Sequence, residues 1–158
     1  MSFSTAYLTI REIGIWDLRR QHKTQAEIGR LLGFTRQASN RAFDVIDTKI
    51  DKAFNEAAIS NSLMVRSINL IDGIMEAYSP IHKMQVLVSM SRINGLRIWY
   101  MHEGHCDSCS EEKSCRKFLE AEASERGVEL TKEDWRLPPT LLVLKIFSQY
   151  LGGSKVVL

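Results

Sequence analysis

Apolar side chains recur at three- and four-residue intervals from Ile10 onward, switch to every second residue near position 85, and return to helical spacing after Ser114. The first periodic set is Ile10, Ile13, Trp16 and Leu18, preceded by Thr9 with Glu12 three residues later. That pairing is a capping box, so a helix is expected from there to about Gln21. Thr24 and Glu27 repeat the box ahead of a second helix, Gln25 to Leu32, whose buried stripe would be Ile28, Leu31 and Leu32. Gly33 ends it, Phe34 follows as a hydrophobic plug, and Thr35 caps a third helix beginning at Arg36.

The third helix continues past a minimal motif, because Phe43, Ile46, Ile50, Ala53 and Ala57 keep the same spacing. Such a seam needs a partner, either within the chain or in its twin in a dimer. A further helix is expected from Ser62 to about Tyr78 on the stripe Leu63, Ser67, Leu70 or Ile71, Ile74 and Tyr78, and Ser79-Pro80 closes it. Gln85–Ser91 and Leu96–Met101 then read as two strands joined through Asn94-Gly95, which predicts a hairpin pairing Met90 with Trp99 and Val88 with Met101. Ser114 would cap a helix running to Arg126 and ended by Gly127. A last apolar helix is expected over Thr140 to Leu151, bearing Leu144 and Phe147 and stopping at Gly152-Gly153. No internal repeat is evident.

The predicted class is therefore mainly α with a small β-hairpin: a helix-turn-helix domain over 1–60, a linker helix over 61–83, and an α+β metal-binding module over 84–158 that serves as sensor and dimerisation unit. In the first of these, Gly29 stands four residues before Gly33, where two helices must approach closely. Ile28, Leu32, Phe34, Ala38 and Ala42 supply apolar contacts between them. Arg36, Gln37, Asn40 and Arg41 are left outward on the third helix. Arg suits guanine and Gln or Asn suits adenine in the major groove, and Thr24, Gln25 and Thr35 lie at helix starts where phosphates are met. Ser39 occupies a position where such motifs often carry Val or Ile.

Charge supports this reading by its distribution, since the net value of +2 is small. Arg11, Arg19, Arg20, Lys23, Arg30, Arg36, Arg41, Lys49 and Lys52 outnumber the acids Glu12, Asp17, Glu27, Asp44 and Asp47 around them. The run Leu8-Thr-Ile-Arg-Glu12 together with Thr24-Gln-Ala-Glu-Ile-Gly-Arg-Leu-Leu-Gly-Phe-Thr-Arg-Gln-Ala-Ser39 resembles the DNA-binding domains of archaeal Tfx-type regulators and, more distantly, of LuxR-type and sigma-factor region-four domains. The resemblance covers about the first third of the chain. It implies a helix-turn-helix fold and binding to double-stranded operator DNA.

The remaining chemistry sits in His102-Glu-Gly-His-Cys-Asp-Ser-Cys-Ser-Glu-Glu-Lys-Ser-Cys115, which holds all three cysteines of the chain. Three thiols cannot all pair within one chain, and no basic, apolar and small-residue leader is seen at the start, so a reducing cytoplasm is expected. Cys106, Cys109 and Cys115 can converge on one centre, with Lys113, Arg116 and Lys117 favouring their deprotonation. The spacing C-x2-C-x5-C is similar to the cluster-binding segments of fumarate-nitrate-reduction-type oxygen regulators, WhiB-like regulators and some repair glycosylases, which implies an iron-sulfur cluster of the 4Fe-4S type. Those families usually add a fourth cysteine from elsewhere. Here a His, an Asp, an external thiol or water must take that place. Zinc in a Cys3His site completed by His102 or His105 is the alternative centre, and thiols that bind no metal are the third reading.

No phosphate-binding glycine loop and no catalytic pair of carboxylates is seen, and the longest apolar runs fall far short of the roughly 20 residues that span a bilayer. These observations point away from an enzyme and from a membrane protein. They point to a cytoplasmic, homodimeric transcriptional regulator whose operator binding responds to a metal centre sensing redox state, oxygen or iron, or to a zinc-stabilised DNA-binding or interaction module.

Overall fold

A computed structural model of the chain describes residues 8–102 and 106–151. Three helices open it: α1 (Ile10–Arg20), α2 (Gln25–Leu32) and α3 (Arg36–Ser60). All three begin as the sequence predicts. Thr9 and Thr24 each form both bonds of a capping box, and the Thr35 hydroxyl accepts the Ala38 N–H at 3.1 Å. Gly33 closes α2 in the left-handed region at φ 72°, and its N–H bonds back to the Gly29 carbonyl. A methyl group at Gly29 would lie 2.8 Å from the Phe34 carbonyl oxygen, so only glycine lets the turn fold back onto α2.

The segment expected as a linker helix instead contributes two strands to a four-stranded antiparallel meander. The strands are β1 (Met64–Asn69), β2 (Ile74–Ser79), β3 (Met84–Ser91) and β4 (Gly95–Tyr100), neighbouring one another in chain order. Leu63, Leu70, Ile74 and Tyr78 happen to fall at helical intervals, but Asp72-Gly73 breaks the run with a turn. A lone two-stranded hairpin would in any case be marginal; four strands make a sheet with two faces to bury. The molecule is thus mixed α and β, with more sheet than the sequence led us to expect.

A repeated turn also emerges, contrary to expectation. In Asn69-Leu-Ile-Asp-Gly-Ile74, Ser79-Pro-Ile-His-Lys-Met84 and Ser91-Arg-Ile-Asn-Gly-Leu96 the first side-chain oxygen accepts the N–H three residues on, at 3.1, 3.2 and 3.1 Å. The fifth residue has positive φ in each: Gly73 at 67°, Lys83 at 54° and Gly95 at 68°. The Ser91 oxygen holds the last of these turns open, so Ser91 pairs with Gly95, Met90 with Leu96 and Val88 with Ile98. The expected two-residue Asn94-Gly95 turn would have shifted this register.

The sheet is a middle layer. On β3 the side chains of Val86, Val88 and Met90 face α1 and α3, where they join Trp16, Ile46, Ile50 and Phe54 in one core. Leu87 faces the other way, into a second core with Ile74 and Trp99 and the C-terminal helices α4 (Glu112–Arg126) and α5 (Pro139–Phe147). Both faces of β3 are covered, so Ser89 and Ser91 are buried beside Leu87 even though β3 alternates apolar and polar in sequence. The seam Phe43, Ile46 and Ile50 is consumed by the first core and does not serve a dimer. Phe147 is likewise buried in the second core, and Leu144 is only half-buried. The start of α4 differs from expectation too: Glu111, not Ser114, precedes the helix, and no side chain caps it. The terminal helix is shorter than expected, passing into a 3-10 turn over Ser148–Tyr150.

A polar helix face and a cysteine cleft

Two regions carry the residues singled out by sequence, at different places in the fold. The first is the N-terminal end of α3 beside α2. Arg36, Gln37, Asn40 and Arg41 are all exposed there, and the buried positions of the same turns are Ser39 and Phe43. Gln25 Nε2 donates to Asn40 Oδ1 at 2.9 Å, a bond between the two helices that fixes which way the Asn40 amide points. Thr24 and Thr35 are exposed, and each hydroxyl oxygen accepts a helix N–H. The Glu27 carboxyl lies below its ordinary value because the Thr24 backbone N–H and hydroxyl bond its charged form.

Around this face the basic excess thins out. Arg19 pairs with Asp47, Lys49 with Glu12 and Arg20 with Asp17 and Glu125, while Arg11 stacks on Phe34. Lys23, Arg30, Arg36 and Arg41 are exposed and make no ion pair among the described residues. Leu31 and Leu32, expected inside, are 61% and 41% exposed, and Ala38 also faces solvent. Ile28 and Gly29 are the buried residues of α2, since an eight-residue helix turned back at Gly33 has room for one row of contacts.

The second region is a cleft of about 230 Å³ between the end of β4, the start of α4 and the start of α5. Its lining includes Ile98, Trp99, Tyr100 and Val143 together with His102, Cys106, Cys109, Glu112 and Cys115. Cys106 opens a 3-10 turn and is buried, Cys109 is exposed and Cys115 is intermediate. The Cys109 N–H bonds to the Cys106 carbonyl at 3.2 Å and the Glu112 N–H to the Cys109 carbonyl at 3.3 Å, so the turn runs directly into α4. His105 lies outside the described residues.

The charge environment differs from what the sequence suggested. Burial first, then Cys109, Cys106 and Glu111, push the Cys115 thiol up, and the opposing cation is Arg97 on β4. Arg116 is engaged by Glu112 and by the Trp135 and Leu137 carbonyls, and Lys113 and Lys117 point to solvent. Arg97 escaped the sequence reading because its alternation partner Trp99 marked the strand as buried. Among the described residues no three His, Cys, Asp or Glu side chains stand close enough to hold one metal ion.

A second, larger cleft of about 670 Å³ was not foreseen. It lies where the end of α1, two of the sheet turns and the end of α4 meet, and is lined by Arg20, His22, Arg92 and Glu125 among others. Arg20 Nη2 bonds Glu125 Oε1 at 2.7 Å, and the Glu125 carboxylate also accepts the Arg92 and Ile93 N–H groups. Burial raises the Glu125 carboxyl, but these bonds outweigh it and the net position is below the ordinary value. No helix of the described residues is long and apolar enough to cross a membrane. Comparison with models of protein families, with curated proteins and with solved structures gives no match for this chain.

Proposed function

We propose that the chain is a DNA-binding transcriptional regulator whose operator binding is modulated at the cysteine cleft. The observation that carries the reading is the disposition of Arg36, Gln37, Asn40 and Arg41: four exposed hydrogen-bonding side chains on the first turns of a helix that follows a tight glycine turn. Exposed Lys23 and Arg30 add positive charge on the neighbouring helix for phosphate contact. The Gln25–Asn40 bond supports it further, because it orders an amide that would read a base edge. Two-fold related half-sites, and hence a homodimer, follow from the small footprint of one such helix.

The sensing centre belongs to the same proposal. Cys106, Cys109, Cys115 and His102 are the donors that would hold a metal, and a sulfur-rich set suits a 4Fe-4S cluster or, alternatively, zinc. Binding requires these donors to close up from their present separation. Thiols must lose their protons to bind, so a metal held there would offset the burial that now holds the Cys115 thiol up.

A fluorescence-anisotropy titration against selected duplexes tests the first part. Replacing Arg36, Gln37, Asn40 and Arg41 together by alanine abolishes sequence preference, and Arg36→Ala alone costs roughly 1 to 3 kcal/mol of specific binding. Unchanged affinity and preference in the quadruple variant would refute the reading. Elemental iron and zinc, with the visible spectrum of protein purified without oxygen, test the second part independently.

A further inference from the structure

We infer that Cys106 and Cys109 form a reversible intramolecular disulfide by thiol exchange, with Cys109 as the entry thiol and Cys106 as the resolving thiol. The inference concerns the same cleft as the proposed metal centre and rests on neither that centre nor DNA binding. The elements that carry them distinguish the three cysteines. Cys106 and Cys109 are the first and last residues of one turn, joined by the 3.2 Å bond from the Cys109 N–H to the Cys106 carbonyl. Residues so related have Cα atoms under roughly 7 Å apart, the range that a disulfide spans without moving the backbone. Cys115 belongs to a different element, inside α4, with its N–H committed to the Glu111 carbonyl.

Exposure assigns the roles. Cys109 faces solvent, where a small disulfide can reach it, whereas Cys106 is 7% exposed and far less accessible. Among the described residues the Cys106 thiol has no hydrogen-bond partner to give up, and it lines the same cleft as Cys109.

The chemistry balances with a low-molecular-weight disulfide, RSSR, as oxidant. The Cys109 thiolate attacks one of its sulfurs, the Cys109–SR bond forms, and the first RS⁻ leaves. The Cys106 thiolate then attacks the Cys109 sulfur, the Cys106–Cys109 bond forms, and the second RS⁻ leaves. The two cysteine protons end on the two released thiols. The protein is oxidised by two electrons and RSSR is reduced to two RSH.

Glutathione disulfide is the probe. The full chain is incubated with it, quenched in acid, alkylated and digested with trypsin, which places Cys106 and Cys109 on the peptide Ile98–Lys113 and Cys115 on Ser114–Arg116. The expected product is Ile98–Lys113 without alkyl groups and lighter by two hydrogens, with Ser114–Arg116 fully alkylated. Cys106→Ser accumulates glutathione on Cys109, Cys109→Ser reacts at least about tenfold more slowly because attack must begin at the buried sulfur, and Cys115→Ser behaves as wild type. A lasting glutathione adduct on wild-type Cys109, a bond that includes Cys115, or full alkylation of all three thiols each overturns the inference. A parallel sample loaded with zinc reports on the metal reading separately: protection of Ile98–Lys113 supports that reading, and its absence counts against zinc without touching the disulfide result.

Discussion

Lys83 sits in a backbone conformation that its two sister turns give to glycine. Its φ of 54° matches Gly73 and Gly95, yet it carries a Cβ that crowds the carbonyl in the left-handed region. Lys83→Gly relieves that strain and forfeits some of the gain to the greater freedom of glycine in the unfolded chain. The expected net effect is a stabilisation of roughly 0.5 to 1 kcal/mol, read as an upward shift of the urea midpoint. Gly73→Ala should do the opposite, since a methyl there would lie 2.7 Å from the Trp16 ring and 2.9 Å from the Met90 carbonyl. At this scale the chain was partly legible. Thr9, Thr24, Thr35, Gly29 and Gly33 announce their roles through spacing alone, but the three turns hide their kinship behind Pro80 and Lys83, and Ser91 changes a register that Asn94-Gly95 alone would have set differently.

Among elements, α3 and α4 do more than their sequences declare. The buried stripe of α3 was readable, but its partner was not, because helical and strand readings of 62–78 compete until Gly73 is known to turn the chain. α4 joins two distant features: Cys115 near its start and Glu125 near its end, where Glu125 grips Arg20 of α1. Neither partner of that ion pair could be matched from sequence, being far apart in the chain and in different layers. Glu125→Gln leaves the nine-tenths-buried Arg20 guanidinium with a weaker acceptor and should cost about 3 kcal/mol, measured by denaturant unfolding. The sign with pH follows from the lowered Glu125 carboxyl. Its contribution is complete above the ordinary carboxylate value near 4.5 and is lost as pH falls through the lower folded value. Melting temperature should therefore drop below about pH 4.5 in the wild type, and drop less steeply in Glu125→Gln.

At the scale of the whole molecule, one sheet serves both cores, so the three segments expected from sequence are not independent. Trp16, Ile46, Ile50 and Phe54 of the N-terminal helices are buried together with Val86, Val88 and Met90 of β3. A fragment holding residues 1–60 would expose that face and should not fold by itself; circular dichroism and dispersion of its amide resonances would show this directly. The full chain should unfold in one transition by fluorescence and by circular dichroism, since separating either helical layer strips one side of the sheet. Two resolved transitions would show that the layers are separable after all.

The spacing of exposed and buried positions on α3 has one more result. Residues 36, 37, 40 and 41 face solvent while Ser39, Phe43 and Ile46 face inward, so no side chain of the polar face helps to hold the core. Substitutions on that face should each change stability by no more than about 0.5 kcal/mol. The quadruple alanine variant therefore melts close to the wild type, which a thermal scan can establish. What that face recognises is thus free to diverge between descendants of this chain, one residue at a time, without any of them having to rebuild the fold beneath it.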